Sequence, residues 1–370
     1  MRLPGLIDPH VHFREPGATH KEDWDSGTAA ALAGGFTLVL AMPNTQPPVV
    51  GQASLDLALR AAGPKARCDY AQYLGAGPAN ASEAARLSGG AAGLKLYLDQ
   101  TYGPLRLDQM GLWQEHFAAW PKSRPLVAHA EGRTMAAAIL MAALYDRPLH
   151  LAHVSTREEI LLIRAAKEKG IPVTCEVTPH HLFLCDADLP HLGPGRGEVR
   201  PRLAAPADRD ALWQNLDVID CFASDHAPHT LAEKDAPNPP PGFPGLESAL
   251  PLYLTAVSEG RLTIEDIVAR CVTNPQRIFN LAPQPETWIE IDPAYRGEIR
   301  AGNTFTRCAW TPFEGYPVRG RLVRGVLRGR EAYRDGEVLS APGAGRNVRQ
   351  TPIVCGGEEP SRPAPRAEER

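Results

Sequence analysis

Phe36-Thr37-Leu38-Val39-Leu40-Ala41-Met42 is an unbroken apolar and β-branched run, which predicts a strand buried on both faces. An alanine-rich segment at residues 23–33 precedes it and closes on two glycines, as helices commonly do. Before that helix, the apolar pair Leu6-Ile7 opens the segment 6–13, which predicts another strand. Strand, helix and strand in this order indicate a parallel sheet, because parallel strands require a crossover connection.

The same alternation continues through most of the chain. Predicted strands start near residues 6, 36, 68, 93, 125, 149, 173 and 218. The other predicted helices occupy residues 53–62, 107–120, 135–144, 157–169 and 207–215. Eight βα units within about 240 residues predict an α/β fold of the (β/α)8 TIM-barrel type, with a doubly wound sheet as the alternative.

The texture of the sequence changes near residue 285. Alternating apolar and polar residues with frequent turn residues predict a small β appendage at 286–341, added to a barrel at 1–285. From 342 onward Gly, Pro, Arg and Glu dominate, which predicts a disordered tail or linker at 342–370, with disorder clearest at 356–370.

Composition excludes several classes of function. The net charge is −4 and no long basic block precedes the tail, so we expect neither a nucleic-acid nor a membrane surface. No apolar run approaches a membrane span, and the start lacks a signal-peptide core. The seven cysteines are dispersed and odd in number, which favours reduced thiols and a cytoplasmic location.

Metal-ligating side chains recur where predicted strands end. Barrel active sites are built at the carboxyl ends of the strands, so these side chains are expected to converge. The set comprises His10, His12, Lys95, His129, His153 and Asp225. An isolated His-x-His pair is as often two ordinary polar residues, but six such residues in strand-end positions favour a metal centre.

The chemistry of this set suits two divalent metals. Imidazole and carboxylate are ligands of zinc and similar ions, and bound metals lower the pKa of water. Asp225 can bind a metal and serve as the general base. Lys95 fits only as a neutral amine that has reacted with CO₂, giving a carbamate with two oxygen ligands. Burial lowers the pKa of a lysine and so favours the neutral amine that this reaction needs.

Six motifs in order give the chain a specific resemblance. They are GLIDPHVHFREPG at 5–17, AMPNT at 41–45, GLKLY at 93–97, CEVTPHH at 175–181, GEVRP at 197–201 and ASDHAPH at 223–229. Over residues 1–335 the chain resembles the dihydroorotases of the amidohydrolase superfamily. It is most similar to the dihydroorotase domains of animal multifunctional pyrimidine-synthesis proteins, which also carry carbamoyl-phosphate synthetase and aspartate transcarbamylase.

The resemblance implies two zinc ions. His10, His12, Lys95 and Asp225 would hold the first, and carboxylated Lys95, His129 and His153 the second. In the animal domains a further zinc is associated with the position of Glu176. Because Ala152 offers no ligand here, a third zinc is not expected, and Glu176 and His181 stay candidates for an extra metal or for a supporting role.

The resemblance also implies a pocket for a small anion. A guanidinium group binds carboxylate through two hydrogen bonds, and Arg14 lies two residues beyond His12. The resemblance implies that Arg14, Asn44 and His229 bind the carboxylate, that Thr101 reaches the substrate, and that Arg200 lies near the pyrimidine ring or the bound metals. Gly242 is a further candidate, because the backbone of its loop can bond a planar amide. Thr101 belongs to the loop at 99–104, whose tip is commonly Phe in the family and is Tyr102 here. Gly242 lies in the proline-rich run at 239–245, which could equally be a plain connector.

The expected reaction is the reversible, zinc-dependent cyclisation of N-carbamoyl-L-aspartate to L-dihydroorotate in pyrimidine biosynthesis, with Asp225 as the catalytic base. The alternatives are a related hydantoinase or allantoinase, or an inactive dihydroorotase-like scaffold for a transcarbamylase. The resemblance favours a homodimer and association with aspartate transcarbamylase. Whether the chain stands alone or belongs to a longer polypeptide is left open by its sequence.

Overall fold

The computed structural model describes residues 1–350, and its centre is a barrel of parallel strands. The barrel strands are Leu6–Val11, Phe36–Ala41, Asp69–Gln72 continued by Leu74–Gly75, Leu94–Tyr97, Leu126–His129, Leu149–Leu151, Val173–Val177 and Cys221–Phe222. Each pairs in parallel with the next, and a bridge between Val11 and His226 joins the last strand region to the first. The predicted (β/α)8 barrel is confirmed, and the doubly wound sheet is not observed among the described residues.

Helices surround the barrel. The longer ones are Trp24–Ala33, Gln52–Ala62, Ala81–Leu87, Met110–Ala119, Arg133–Tyr145, Arg157–Glu168, Pro206–Gln214 and Leu246–Ser258. Short α-helices are Pro179–Phe183, Leu189–Leu192, Leu231–Lys234, Ile264–Val268 and Asn274–Ile278; a π-helical turn spans Ala269–Thr273, and 3₁₀ turns span Ser88–Gly90, Asp186–Asp188 and Ala301–Asn303. Helix Leu246–Ser258 was not predicted, because it is buried on most sides and contains Pro251, so no amphipathic period marks it.

The barrel strands are buried on both faces, which explains their nearly continuous apolar sequences. One apolar cluster fills the barrel interior, with Ile7, Leu38 and Val127 from the strands and Phe279 from the segment after the last helix. The larger cluster lies between the strands and the helices. Burial on both faces leaves the strand ends as the place where polar side chains can meet.

The appendage is a five-stranded antiparallel sheet. Its strands, in spatial order, are Arg2–Pro4, Trp288–Glu298, Pro317–Leu327, Arg330–Arg334 and Glu337–Val338. The long strand Pro317–Leu327 packs against helix Leu246–Ser258. The appendage thus includes three residues from the start of the chain, which the sequence assigned to the barrel.

The last described residues pack on the barrel. The backbone of Tyr70 bonds with Arg346 and Val348 at 2.9 Å each, and Arg349 donates to the carbonyl oxygen of Asn280. Residues 342–350 are therefore part of the folded body, and the predicted tail does not begin at 342. The rest of that prediction, including residues 356–370, falls on positions beyond 350 and outside the described residues. Between residues 1 and 350, no helix has the length and apolar character needed to cross a membrane.

Candidate active site

The structure brings all six predicted metal ligands to the carboxyl end of the barrel. Their side chains belong to residues that are between 0 and 8% exposed. A small cavity there is lined by His10, His12, His129, His153 and Asp225, and also by the predicted substrate residues Arg14, Asn44, Thr101, Arg200 and Gly242. His229 contacts Arg14 beside this cavity. The convergence expected from strand-end positions is therefore observed.

Three of the ligands are close enough to share one cation. The Nε2 atoms of His10 and His12 lie 3.3 and 3.1 Å from Oδ1 of Asp225. A ligand atom from each of the three residues lies within 4.8 Å of the other two. Asp225 has a φ of 43°, a left-handed conformation that is costly for a non-glycine residue and is often found at functional sites.

Two more histidines form a second group beside the first. Nδ1 of His129 lies 2.9 Å from Nε2 of His153, and the rings of His153 and His10 are 5.2 Å apart. Burial lowers the pKa of His129, and burial with neighbouring His129 and Lys95 holds the pKa of His153 well below its usual range. Neutral imidazoles in this arrangement offer lone pairs, as metal binding requires.

Lys95 lies beside both groups and is completely buried. Its Nζ has no hydrogen-bond partner among the described residues and lies 5.4 Å from the centroid of the Tyr97 ring. Burial lowers the pKa of Lys95 to about 8, although the nearby Glu176 and Asp225 carboxylates favour its charge. An ammonium ion with no acceptor is costly in such a place, so this nitrogen fits a group that is modified or bound when the site is complete.

Glu176 holds His10 through the ring nitrogen that faces away from Asp225. Its Oε1 accepts a hydrogen bond from His10 Nδ1 at 2.5 Å, and its Oε2 lies 3.0 Å from His150 Nε2. Burial opposes ionisation, but His10 and His150 hold the pKa of Glu176 well below its usual range. A carboxylate that fixes the far nitrogen of a histidine orients that ring and raises its basicity as a ligand. Glu176 is thus already engaged by two imidazoles.

His181, predicted as an extra metal ligand or a supporting residue, is engaged at both ring nitrogens. Its Nδ1 lies 2.8 Å from Thr178 Oγ1, and its Nε2 lies 3.1 Å from the carbonyl oxygen of Pro201. Thr178 also caps the short helix that carries His181, by accepting from the His181 backbone amide. His181 therefore anchors the segment that follows Arg200 rather than facing Glu176.

Asn44 connects the predicted metal ligand His12 to the loop at 99–104. Its side-chain oxygen accepts from His12 Nδ1 at 2.7 Å, and its amide nitrogen donates to the carbonyl oxygen of Tyr102 at 3.0 Å. The first bond leaves His12 Nε2 unprotonated and facing Asp225 when His12 is neutral, and burial lowers the pKa of His12 to about 4. Asn44 therefore orients a metal ligand as well as lining the cavity.

Arg14 and a neutral His229 form one side of the pocket, and burial beside Arg14 and Lys21 holds the pKa of His229 well below its usual range. Arg14 is 4% exposed; its Nε donates to the carbonyl oxygen of Pro228, and its Nη2 lies 3.0 Å from His229 Nε2. Lys21 donates to His229 Nδ1 at 3.0 Å, so the imidazole proton is on Nε2, which lies 3.1 Å from the carbonyl oxygen of Pro241. Arg14 Nη2 and His229 Nε2 then both carry hydrogens and cannot accept from each other. The Nη2 hydrogens of Arg14 are therefore free to bind an anion.

Lys21 was missed by the sequence analysis. It follows the 5–17 motif and begins the charged run Lys21-Glu22-Asp23, which is typical of a solvated surface. In the structure Lys21 is only 5% exposed, and it also pairs with Glu233 at 3.0 Å. The available signal was the position of the run, directly before the buried helix Trp24–Ala33.

The loop at 99–104 is folded over the pocket. The Tyr102 hydroxyl accepts from Lys21 Nζ at 3.2 Å, and its ring lies 5.0 Å from the ring of His229. The guanidinium carbon of Arg14 lies 5.0 Å from the centroid of the same ring. The substitution of Tyr for the family's usual Phe therefore adds a polar contact to an otherwise aromatic and cationic closure.

Arg200 and Gly242 complete the rim. Arg200 Nη1 donates to Oε2 of Glu198 and to the carbonyl oxygen of Val199, both at 2.9 Å. The Gly242 amide donates to the Glu198 carbonyl oxygen at 3.0 Å. Gly242 has a φ of 146°, and a Cβ there would lie 2.4 Å from the Ala227 carbonyl oxygen, so no other residue fits. The proline-rich run is thus a built wall of the pocket.

Comparisons with known proteins show what the whole chain is similar to. The amidohydrolase family model matches residues 1–284. The chain is 56% identical over 353 residues to multifunctional protein CAD of Squalus acanthias, covering 95% of this chain and 16% of that protein. It is 35% identical over 366 residues to the dihydroorotase of Pyrococcus furiosus, covering 94% of this chain and 85% of that enzyme. The chain thus spans about a sixth of the multifunctional relative.

Solved structures share the fold. L-hydantoinase from Arthrobacter aurescens superposes with a TM-score of 0.88 at 26% identity, covering 94% of this chain and 88% of the hydantoinase. The inactive dihydroorotase-like domain of the Chaetomium thermophilum CAD-like multifunctional protein gives 0.81 at 29% identity, covering 94% of this chain and 99% of that domain. A hydantoinase and a domain described as inactive therefore share this fold, so the fold by itself does not establish activity.

Proposed function

The chain belongs to the amidohydrolase family, within which its dihydroorotase relatives fall, and from that premise we propose that it is a zinc-dependent dihydroorotase. It would interconvert N-carbamoyl-L-aspartate and L-dihydroorotate, a step of pyrimidine synthesis. The observation that carries this proposal is that one cavity is lined by five of the six proposed metal ligands and by the guanidinium of Arg14, with His229 in contact with Arg14 beside it. A cyclic amide that carries its own carboxylate needs both.

Two zinc ions would be held by this site. His10, His12, Lys95 and Asp225 would hold the first, and Lys95, His129 and His153 the second. Support comes from the donor set, which is nitrogen and oxygen without thiolate, and from the buried Lys95 amine that lacks a partner among the described residues. When bound, the metals would supply an activated water molecule and polarise the amide carbonyl.

Lys95 would join the two sites as a carbamate. Its neutral amine attacks CO₂, a nitrogen–carbon bond forms, and one proton leaves to solvent. The product places two oxygens where a bare ammonium would repel cations. Intact-mass measurement of the metal-loaded protein under native conditions tests this: the mass should exceed that of the sequence and its metals by one CO₂, and the excess should vanish in Lys95→Met.

Asp225 would move the protons. Burial raises its pKa, but His10 and His12 hold that pKa well below the usual range, so the carboxylate is ionised at neutral pH and can act as a base. In the hydrolytic direction it takes a proton from the attacking water and passes it to the leaving ring nitrogen. In the cyclising direction it removes a proton from the carbamoyl nitrogen and then helps water to leave.

The pocket residues would bind and enclose the substrate. Arg14, His229 and Asn44 would bind the carboxylate next to the reacting amide, with Arg14 contributing most because a guanidinium pairs with carboxylate through two bonds. Arg200 and Gly242 would face the ring. Thr101 and Tyr102 would close over it and exclude water, which strengthens the electrostatic interactions inside.

A third zinc is not proposed. Glu176 is saturated by His10 and His150, and Ala152, beside His153, has no ligand atom. Glu176 instead holds His10 in the orientation that the first zinc needs.

Hydantoinase or allantoinase activity is the second candidate, and the similarity to L-hydantoinase favours it at the level of the fold. Hydantoin has no carboxylate, so it would leave Arg14 without a partner. An inactive scaffold is disfavoured because every metal ligand is retained. The experiment is turnover of L-dihydroorotate, hydantoin and allantoin by the purified, zinc-loaded protein.

We expect turnover of dihydroorotate alone, and a large rise in KM for Arg14→Met. Faster turnover of hydantoin or allantoin would replace the proposal with its alternative. Absence of turnover on all three by a protein that binds two zinc ions would indicate the scaffold.

We infer the setting from the resemblance and from the dispersed cysteines in the sequence. The chain would associate with aspartate transcarbamylase and act as a homodimer in the cytoplasm. The molar mass of the purified protein in solution tests the homodimer. Co-purification of aspartate transcarbamylase with the chain from the source organism tests the association.

A further inference from the structure

Lys234 is a buried cation outside the predicted site. It ends the short helix Leu231–Lys234 and is 0% exposed. Its Nζ donates to the carbonyl oxygens of Glu198, Pro240 and Gly242 at 2.7, 2.9 and 3.3 Å. The ammonium also lies 5.7 and 5.6 Å from the ring centroids of Phe243 and Trp310. It forms no ion pair with a carboxylate of residues 1–350, so its charge is satisfied by backbone dipoles and aromatic faces.

The three carbonyl groups belong to two segments that line the substrate pocket. Glu198 precedes Arg200 and also accepts from its guanidinium through the side chain. Pro240 and Gly242 flank Pro241, whose carbonyl oxygen faces His229. The Glu198 carbonyl oxygen receives the Gly242 amide as well as Lys234, so the two segments meet at this ammonium.

The composition of the second segment explains why a lysine is needed. Residues 237–244 include five prolines, and proline has no amide hydrogen. Such a loop has carbonyl acceptors but few donors with which to anchor itself. An ammonium supplies three hydrogens on a rotatable group, and three carbonyl oxygens take them here. Burying that charge is tolerable only because it is hydrogen-bonded.

We propose that Lys234 is a positioning residue for substrate recognition: it clamps the segment carrying Arg200 to the proline-rich loop carrying Gly242, and so sets the part of the pocket wall that Arg200, Pro241 and Gly242 form. It does not touch the substrate. Naming that substrate as dihydroorotate rests on the proposed function, whereas the clamp itself does not.

The test is Lys234→Met in the zinc-loaded full chain. Methionine keeps the apolar stem between Phe243 and Trp310 and removes all three donors. We expect KM for L-dihydroorotate to rise about tenfold or more, as for loss of a hydrogen bond from a charged group, with a much smaller change in kcat and unchanged zinc content. Lys167→Met is the matched control, because Lys167 also donates to a backbone carbonyl, that of Val218, away from the pocket. Its KM should not change.

Hydrogen exchange provides a readout that does not depend on the substrate. In Lys234→Met, amides of residues 195–203 and 242–245 should exchange about tenfold faster than in wild type, while those of the other barrel segments keep their rates. Unchanged exchange together with unchanged KM would overturn the clamp. If wild type fails to turn over dihydroorotate, the proposed function fails and exchange alone decides the clamp. If Lys234→Met does not fold, Lys234→Gln replaces it: its side chain is uncharged, one bond shorter and has two N–H groups, so it cannot serve all three carbonyl oxygens, and a normal KM with normal exchange in that variant overturns the proposal.

Discussion

Replacing Glu176 with glutamine should weaken zinc binding by about 10- to 100-fold while the barrel stays folded. Glutamine has the same shape as glutamate, so its amide oxygen can still accept from His10 Nδ1, where the carboxylate of Glu176 accepts at 2.5 Å. What is lost is the charge. Charge-assisted hydrogen bonds are roughly twice as strong as neutral ones, and a net loss of about 1.4–2.8 kcal/mol corresponds to that range of affinity. His150 can adapt by exchanging its ring proton, because Thr174 accepts or donates at its other nitrogen.

The assay is competition for zinc between the protein and a chromophoric chelator at neutral pH, with zinc per chain measured separately. Asp69→Asn is the matched control, since Asp69 is a buried carboxylate at the opposite end of the barrel and pairs with Arg328. Unchanged zinc affinity in Glu176→Gln would refute the supporting role. Loss of one zinc out of three, with the others held normally, would show that Glu176 is itself a ligand.

Three other perturbations test the pocket and the appendage. Lys21→Met frees the proton of His229 to move to either nitrogen and lets the imidazole accept from Arg14, so KM for dihydroorotate should rise about tenfold in steady-state kinetics. Tyr102→Phe removes only the hydroxyl that accepts from Lys21, so its KM should rise no more than about fivefold. Equal rises in KM for Lys21→Met and Tyr102→Phe would contradict the larger role given to Lys21. Burial raises the pKa of Glu247 to about 8, although the amides of Phe305 and Thr306 oppose this. Because that pKa lies above the ordinary value of 4.5, Glu247 contributes stability that wild type loses as pH rises from about 4.5 to about 8, and Glu247→Gln should lose less stability over the same range. Parallel melting temperatures of the two proteins across this range would refute the assignment.

The site could be predicted from the sequence where local rules decide it. Alternation along a strand places His10 and His12 on one side, and a lysine inside the apolar run at 93–97 is conspicuous because charge is rarely buried. Asp225 was found because it follows an apolar run despite a strand of only two residues, Cys221–Phe222. Parallel strands then brought these ends together without further information.

What the sequence did not reveal depends on contacts between distant segments. Lys21 and Lys234 stand in charged runs that resemble solvent-facing helix turns, and only tertiary packing buries them. Residues 2–4 are too few to be marked as a strand, and their partner, Trp288–Glu298, is nearly 290 residues away. The supporting role of Glu176 depends on its contacts with His10 and His150, and His150 lies outside every motif in the sequence.

The most direct test of the central claim is turnover of L-dihydroorotate by wild type and Asp225→Ala, with zinc content and melting temperature measured on the same samples. We predict that wild type with two zinc ions opens and closes the ring. Asp225→Ala should keep its fold and lose about 10³-fold or more of the activity. A zinc-loaded wild type that leaves dihydroorotate unchanged, or an Asp225→Ala variant that turns it over at the wild-type rate, would contradict the account.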